Sequence, residues 1–274
     1  MLLKVKYAKI NSKKRSILSL HQPTLRVLKI LELLANSQER LTLSTIAKKL
    51  NIPTSTIYPI LQTLQEKQYV QCDLKHKTYH LDFQILALSN HIKSENKVLE
   101  LIKKHMKTIR DLTQQACQMG ILKEGNVLYL EKIDANNQVQ LKSFIGTSYP
   151  AYATSLGKAL LANKNKNELK KLYPQAFQKI TAKTLNNIEE LYQELKSIKK
   201  NKIALESGEM NPQIECMAIG IEHKGKIIAA ISISYLLYYS NEKFRETNKK
   251  ILQEEKNKIE KELSFSFPDL DAIY

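Results

Sequence analysis

Thr54, Ser55, Thr56 and Tyr58 crowd one short stretch, Gln62 follows a few residues on, and Lys75, His76 and Lys77 form a second cluster. Small hydroxyls and amides suit phosphate oxygens and base edges, and Lys suits phosphate charge, so the chemistry expected of this set is contact with double-stranded DNA. Capping of a helix by Thr54 or Ser55 explains part of the same cluster. Far along the chain, the alternation in AISIS puts Ser232 and Ser234 on one face of a strand. A buried hydroxyl needs a partner, which a ligand carboxylate or hydroxyl can supply, as can backbone or water. Cys216 opens the neighbouring strand and either lines the same cavity or packs as a small apolar side chain.

The elements that must position these residues follow from periodicity. Leu25, Leu28, Leu31 and Leu34, widened by Val27 and Ile30, give an amphipathic helix over Thr24 to Ala35. Thr42 or Ser44 caps a second helix carrying Ile46, Ala47 and Leu50, and Asn51 closes it. A third helix carries Ile57, Ile60, Leu61 and Leu64. Pro59 falls inside it, and a proline there costs about 3 kcal/mol through a lost hydrogen bond and a clash. A start near Ser55 or a bent first turn is the expected response. Tyr69 to Gln71 and Tyr79 to Leu81 read as two strands around a turn tipped by Lys75, His76 and Lys77. Helix, helix, helix and basic hairpin is the order of a winged helix-turn-helix, whose third helix enters the major groove by its N-terminus.

Charge agrees with that placement. Residues 1–90 carry fourteen Lys and Arg against five Asp and Glu, a net of +9 out of a total of +16. The first 22 residues hold Lys4, Lys6, Lys9, Lys13, Lys14 and Arg15 with no acidic residue, the composition of a disordered arm able to lie along phosphates. No apolar run is long enough to cross a membrane, and the N-terminus lacks a secretory core, so a cytoplasmic protein is expected. Cys72, Cys117 and Cys216 show no metal-ligand spacing, which fits reduced thiols. No metal or cofactor is expected, since GxSxG, HExxH and GxGxxG are absent and position 152, where a P-loop ending in Gly157 and Lys158 needs glycine, is Tyr. Lys158 reads as surface charge.

The stretches RVLKILELL, LTLSTIAKKLNIPTSTIYPILQTLQ and YHLDFQILALS resemble the N-terminal domain of the IclR family of bacterial transcriptional regulators. GTSYPAYATSLGKALLA and ECMAIGIEHKGKIIAAISIS resemble that family's effector domain, so the similarity covers nearly the whole chain after residue 22. Tyr58 and Pro59 replace a basic pair that the family carries in the recognition helix, Asp82 its glycine after the wing, and Gly220 a proline. TIYPIL is instead similar to the third helix of the PadR family.

The expected organisation is an α+β chain. A basic arm covers 1–22, a winged helix-turn-helix 23–90, a linker helix 91–116, and an antiparallel sheet with helices 117–274, which the resemblance implies is GAF-like. Strands are expected at Gln118–Lys123, Asn126–Ile133, Gln138–Ile145, Cys216–Glu222 and Lys226–Ser234, and helices at Leu156–Ala162, Ile188–Ile198 and Ser240–Leu263. Val98, Ile102, His105, Ile109, Leu112 and Ala116 share one face of the linker helix, which suits either a partner helix or the chain's own effector domain. The resemblance implies a homodimer or a dimer of dimers. It also implies an effector pocket at Leu156, Gly157, Glu206 or Glu209, Cys216, Ser232 and Ser234, where Gly157 lets a ligand approach the backbone. The function expected is a DNA-binding regulator modulated by a small organic acid. A thiol enzyme using Cys216 and a constitutive DNA-binding protein without effector are the alternatives.

Overall fold

A computed structural model describes residues 20–37, 39–88, 96–135, 144–271 and 273. They form two compact units, 1–92 and 93–274. The basic arm expected over 1–22 lies, up to residue 19, outside the described residues, as does the strand expected at Gln138–Ile145 up to residue 143.

In the first unit α1 (Gln22–Ala35), α2 (Leu43–Leu50) and α3 (Thr54–Glu66) pack around Ile30, Leu34, Ile46, Ile57, Leu61 and Val70. Thr42 caps α2 by accepting from Thr45 N at 3.2 Å, and Asn51 ends it at φ 53°. Asn suits that left-handed position because its short polar side chain tolerates it. Strands β1 (Leu41–Thr42), β2 (Val70–Asp73) and β3 (Thr78–Leu81) make an antiparallel sheet in the order β1-β3-β2. Helix α3 begins at Thr54, one residue before the expected start, and takes Pro59 into its body. Ser55 and Pro59 are both exposed, so water can replace the bond that an N–H at 59 would make to the Ser55 carbonyl.

The second unit is built on a six-stranded antiparallel sheet in the order β6-β5-β4-β9-β8-β7. These are β4 (Ala116–Lys123), β5 (Asn126–Ile133), β6 (Ser148–Pro150), β7 (Ala204–Ser207), β8 (Ile214–His223) and β9 (Lys226–Leu236). Strand alternation splits its residues between two cores. Cys117, Met119, Met217, Ile219, Ile231 and Ile233 face α4 (Lys97–Thr113) and α8 (Glu242–Ser266). Val127, Tyr129, Ala218 and Ala230 face α5 (Ser155–Leu161), α6 (Lys166–Leu172) and α7 (Ile188–Asn201). This is the α+β arrangement expected; β6, β7 and α6 are additions to it.

The linker helix belongs to this second unit. Val98, Ile102 and Ile109 are buried in one cluster with Leu252, Ile259 and Leu263 of α8. The His105 ring lies between Glu255 at 2.7 Å and Glu262 at 3.1 Å. The seam that a partner helix would have occupied is filled from within the chain. Leu112 stays exposed and Ala116 has already entered β4.

Candidate functional site

Two sites emerge, one in each unit. In the first, Thr54, Ser55, Tyr58 and Gln62 are exposed along the N-terminal half of α3, with Thr56 half-buried beside them. The helix is preceded by Pro53 and has no side-chain cap, so capping by Thr54 or Ser55, one explanation of their presence, does not occur. Gln62 Nε2 donates to the Tyr58 hydroxyl at 3.2 Å, which holds the two side chains together on the helix surface. α3 itself contains no Lys or Arg.

The hairpin supplies that charge. Lys75 and Lys77 are exposed in its turn, Lys77 at φ 52°. Asp73 organises the turn, accepting from Lys75 N at 2.9 Å and His76 N at 3.2 Å. His76 also places Nδ1 2.9 Å from Asp73 Oδ2, and this contact holds the aspartate below the usual carboxylate range. His76 is therefore a brace of the turn and faces Asp73, whereas the two lysines extend from it. Arg40, 3.5 Å from the same carboxylate, adds a cation that the sequence reading did not single out.

In the second unit a cavity of about 230 Å³ opens on the face of the sheet covered by α5. Glu206, Cys216, Ser232 and Ser234 line it as expected. Gln118, Tyr129, Tyr149, Thr154, Ser155, Met210, Asn211 and Ile214 line it too, and sequence reasoning missed all of them as pocket residues. Gln118 was legible in principle, being a polar residue in the strand run ACQMGIL. Pairing of Gln118 with Ser232 across β4 and β9 brings three polar residues onto one face. Ser232 and Ser234 both donate to Gln118 Oε1, at 3.0 and 2.9 Å. The buried hydroxyls thus find their partner within the chain, in a preset cluster that a ligand can join.

Cys216 Sγ lies 3.1 Å from Ser234 Oγ and also reaches the Glu206 carboxylate. Burial, and secondarily the charge of Glu206, push its thiol well above the ordinary range. A nucleophilic cysteine needs the opposite, a cation or base that favours thiolate. His223, which stands near Cys216 in sequence, has both ring nitrogens buried without a partner, so it does not activate the thiol. Glu206 is held by its loop: its Oε1 accepts from the amides of Glu209 and of Met210. Burial raises its carboxyl, against the lowering effect of those amides.

Leu156, Gly157 and Glu209 are placed differently from expectation. Leu156 packs in the core under the sheet, 1 % exposed. A Cβ on Gly157 would stand 2.2 Å from the Ala151 backbone, so this glycine permits close packing of helix on chain and faces no ligand. Thr154 caps α5 by accepting from Gly157 N at 3.0 Å, while Ser155, the first residue of the helix, lines the cavity. Glu209 turns away to Lys158. That lysine is wholly buried, with Nζ 2.5 Å from Glu209 Oε1 and 2.6 Å from Glu194 Oε2, so its reading as surface charge is corrected. Every residue of α5 is buried, and a short helix apolar on all sides leaves its one lysine nowhere to go.

Family models match both units. Residues 23–74 fit the IclR helix-turn-helix domain, and residues 91–261 fit the C-terminal domain of bacterial IclR transcriptional regulators. The chain belongs to the IclR family. It is 26% identical over 213 residues to the transcriptional regulator KdgR of Dickeya chrysanthemi, covering 77% of this chain and 70% of that protein. XynR of Escherichia coli is 28% identical over 213 residues, which are 77% of this chain and 84% of that regulator. The fold agrees with an IclR regulator from Alicyclobacillus acidocaldarius at a TM-score of 0.79 and 20% identity, over 88% of this chain and 98% of that one. It also agrees with an IclR homologue from Microbacterium hydrocarbonoxydans, solved in complex with 4-hydroxybenzoate, at a TM-score of 0.75 and 20% identity, over 89% and 99%. This IclR-family chain is thus a transcriptional regulator with a helix-turn-helix unit and a C-terminal effector domain. Its relatives are regulators, and no helix among the described residues is long and apolar enough to cross a membrane.

Proposed function

We propose that the chain binds operator DNA as a homodimer or dimer of dimers and that a small hydroxylated organic acid in the C-terminal cavity modulates the binding. The cavity carries this reading. It is closed on one side by hydroxyls already fixed on Gln118, and it is lined on another by Thr154 and Ser155 at the start of α5. Ligand hydroxyls suit the Gln118, Ser232, Ser234 and Glu206 side. A carboxylate suits the Thr154 and Ser155 side of the lining, whose hydroxyls can donate to it. The homologue solved with 4-hydroxybenzoate carries a ligand of that chemistry. Exposed apolar side chains in the first unit, Leu28, Phe83 and Leu88, supply surface for a dimer contact. On DNA, Thr54, Ser55, Thr56, Tyr58 and Gln62 read base edges or phosphates while Lys75 and Lys77 neutralise phosphates. Modulation requires that the ligand bind the two DNA-affinity states unequally.

The protein should retard DNA from its own promoter region, with affinity falling steeply as salt rises. Replacing Lys75 and Lys77 together by Ala should lower affinity for all sequences and reduce the salt slope by about 2. An unchanged slope would remove the lysines from the interface. A panel of hydroxylated carboxylic acids should raise the melting temperature, and their amides should not; a ligand at about 100 times its Kd contributes about 2.7 kcal/mol. Stabilisation that survives Ser232→Ala with Ser234→Ala would put the ligand elsewhere.

A further inference from the structure

Lys158 is among the largest fully buried side chains of the molecule, and it lies outside the cavity lining. Three elements meet at its ammonium. The lysine belongs to α5, whose first residue Ser155 and cap Thr154 form one wall of the cavity. Its partner Glu194 lies on α7, and Glu209 belongs to the loop between β7 and β8 that brings Met210 and Asn211 into the cavity lining. From Glu209 the path continues: its backbone N–H donates to Glu206 Oε1, and Glu206 pairs across the sheet with Cys216. A continuous chain of polar contacts therefore runs from the lysine to two lining residues of the cavity.

The rest of the loop is held from its other side. Thr181 Oγ1 donates to the Gly208 carbonyl at 2.7 Å and Thr184 Oγ1 to that of Glu209 at 2.8 Å. Those bonds fix the backbone. Only Lys158 ties the Glu209 side chain to α5 in this arrangement, and a buried ammonium with a carboxylate on either side is expensive to create unless the pair is well made. The ammonium itself is buried, and of its two carboxylates Glu194 reaches solvent while Glu209 is buried with it.

We infer that Lys158 is a positioning residue of the effector site: its ammonium latches the β7–β8 loop onto α5 and so sets the separation of the two cavity walls without touching the ligand. This rests on the cavity being the effector site only for its consequence; the latch itself is tested without any effector. Opening the latch loosens the Glu209 side of the loop against α5, which raises access to the half-buried Cys216, and its effect on ligand affinity follows from the misplacement of Glu206.

Cys216 itself is the probe. In a Cys72→Ser background, which removes the other partly exposed thiol, iodoacetamide reacts slowly with the half-buried Cys216 and faster as the cavity opens. Cys117, fully buried in the opposite core, reports global unfolding in the same sample. Both are read by mass spectrometry of peptides. Lys158→Met should speed alkylation of Cys216 by about tenfold, the effect of one lost charged hydrogen bond on a local opening, while Cys117 stays unmodified. Lys158→Met with Glu209→Gln removes the unpaired carboxylate as well. It should recover melting temperature relative to the single variant and still alkylate Cys216 fast. Glu209→Gln alone keeps the lysine and its Glu194 partner, creates no cavity, and should give a smaller acceleration of about threefold. Wild-type alkylation rates in Glu209→Gln and in the double variant would overturn the inference. So would a double variant that regains the wild-type rate along with its stability, because the lysine would then act only by leaving a charge unpaired. Failure of every organic acid to shift the melting temperature, with alkylation still accelerated, would remove the effector reading and leave the latch standing.

Discussion

Helix α3 and the C-terminal cavity are both lined by hydroxyls and amides, and neither lining includes a Lys or Arg. On α3 the groups face solvent: Ser55 is exposed, and Tyr58, 46 % exposed, accepts a hydrogen bond from Gln62. In the cavity Ser232 and Ser234 are buried and pinned on Gln118, with the half-buried Cys216 against Ser234. Solvent explains the difference. An exposed hydroxyl trades one water for another and can await a partner at little cost, whereas a buried one left alone costs about 1–3 kcal/mol. A surface that reads DNA can therefore stay unorganised until the duplex arrives. A buried pocket must be organised by the chain itself.

That contrast predicts that altering the buried set costs stability and that altering the exposed set costs only recognition. The largest effect is expected at Gly157→Ala. A methyl placed against the Ala151 backbone has no flexible neighbour to displace, so unfolding free energy should fall by about 3 kcal/mol or more. A urea midpoint within error of wild type would show that α5 can move away, and the close packing argument would fail.

Glu209 comes next, through pH. Burial pushes its carboxyl up to about 7, against an ordinary value of 4.5, so the folded chain holds a proton there that the unfolded chain has released. The stability this group contributes is complete below about pH 4.5 and is lost as pH rises to about 7. Compared with Glu209→Gln, the wild type should lose about 3 kcal/mol across that window, at about 1.4 kcal/mol per pH unit, and stay level above it. Denaturant titrations of both proteins at several pH values measure the difference directly. Parallel curves would mean that Lys158 keeps the carboxylate ionised throughout.

The smallest effects sharpen the comparison most. Gln118→Leu leaves two buried serines without their acceptor and should lower stability by about 2 kcal/mol. Ser55→Ala on α3 removes the same kind of group from the surface and should change stability by no more than about 0.5 kcal/mol, while altering discrimination among operator variants. Equal stability losses for the two would erase the distinction drawn between the sites.

Much of the fold was legible in the residues. The leucine spacing of α1, Thr42 and Asn51 at the ends of α2, the apolar stripe of α3 and the adjacent strands β8 and β9 all act through neighbours within a few positions. Strand period alone placed the serines of AISIS on one face, and the resemblance put them in a pocket; both line the cavity. What failed shares a cause. Gly157, Leu156 and Glu209 were pocket residues only by what the resemblance implies, and their neighbours are the Ala151 backbone, the sheet core and Lys158. Gln118 and Tyr129 were seen as strand residues and not as lining, because nothing local says which strand will lie beside β9.

The sequence by itself therefore determined the order of elements, the basic hairpin, the exposed hydroxyls at the start of α3 and the family to which the chain belongs. These depend on local period, on charge and on short motifs. Tertiary structure alone decided that Lys158 is buried, that the linker helix packs on α8 of its own chain, and that Gln118 is the shared acceptor for two serines more than a hundred residues away. Each of those facts is a long-range pairing, and the free energy of burying a polar group depends on which distant group arrives to meet it.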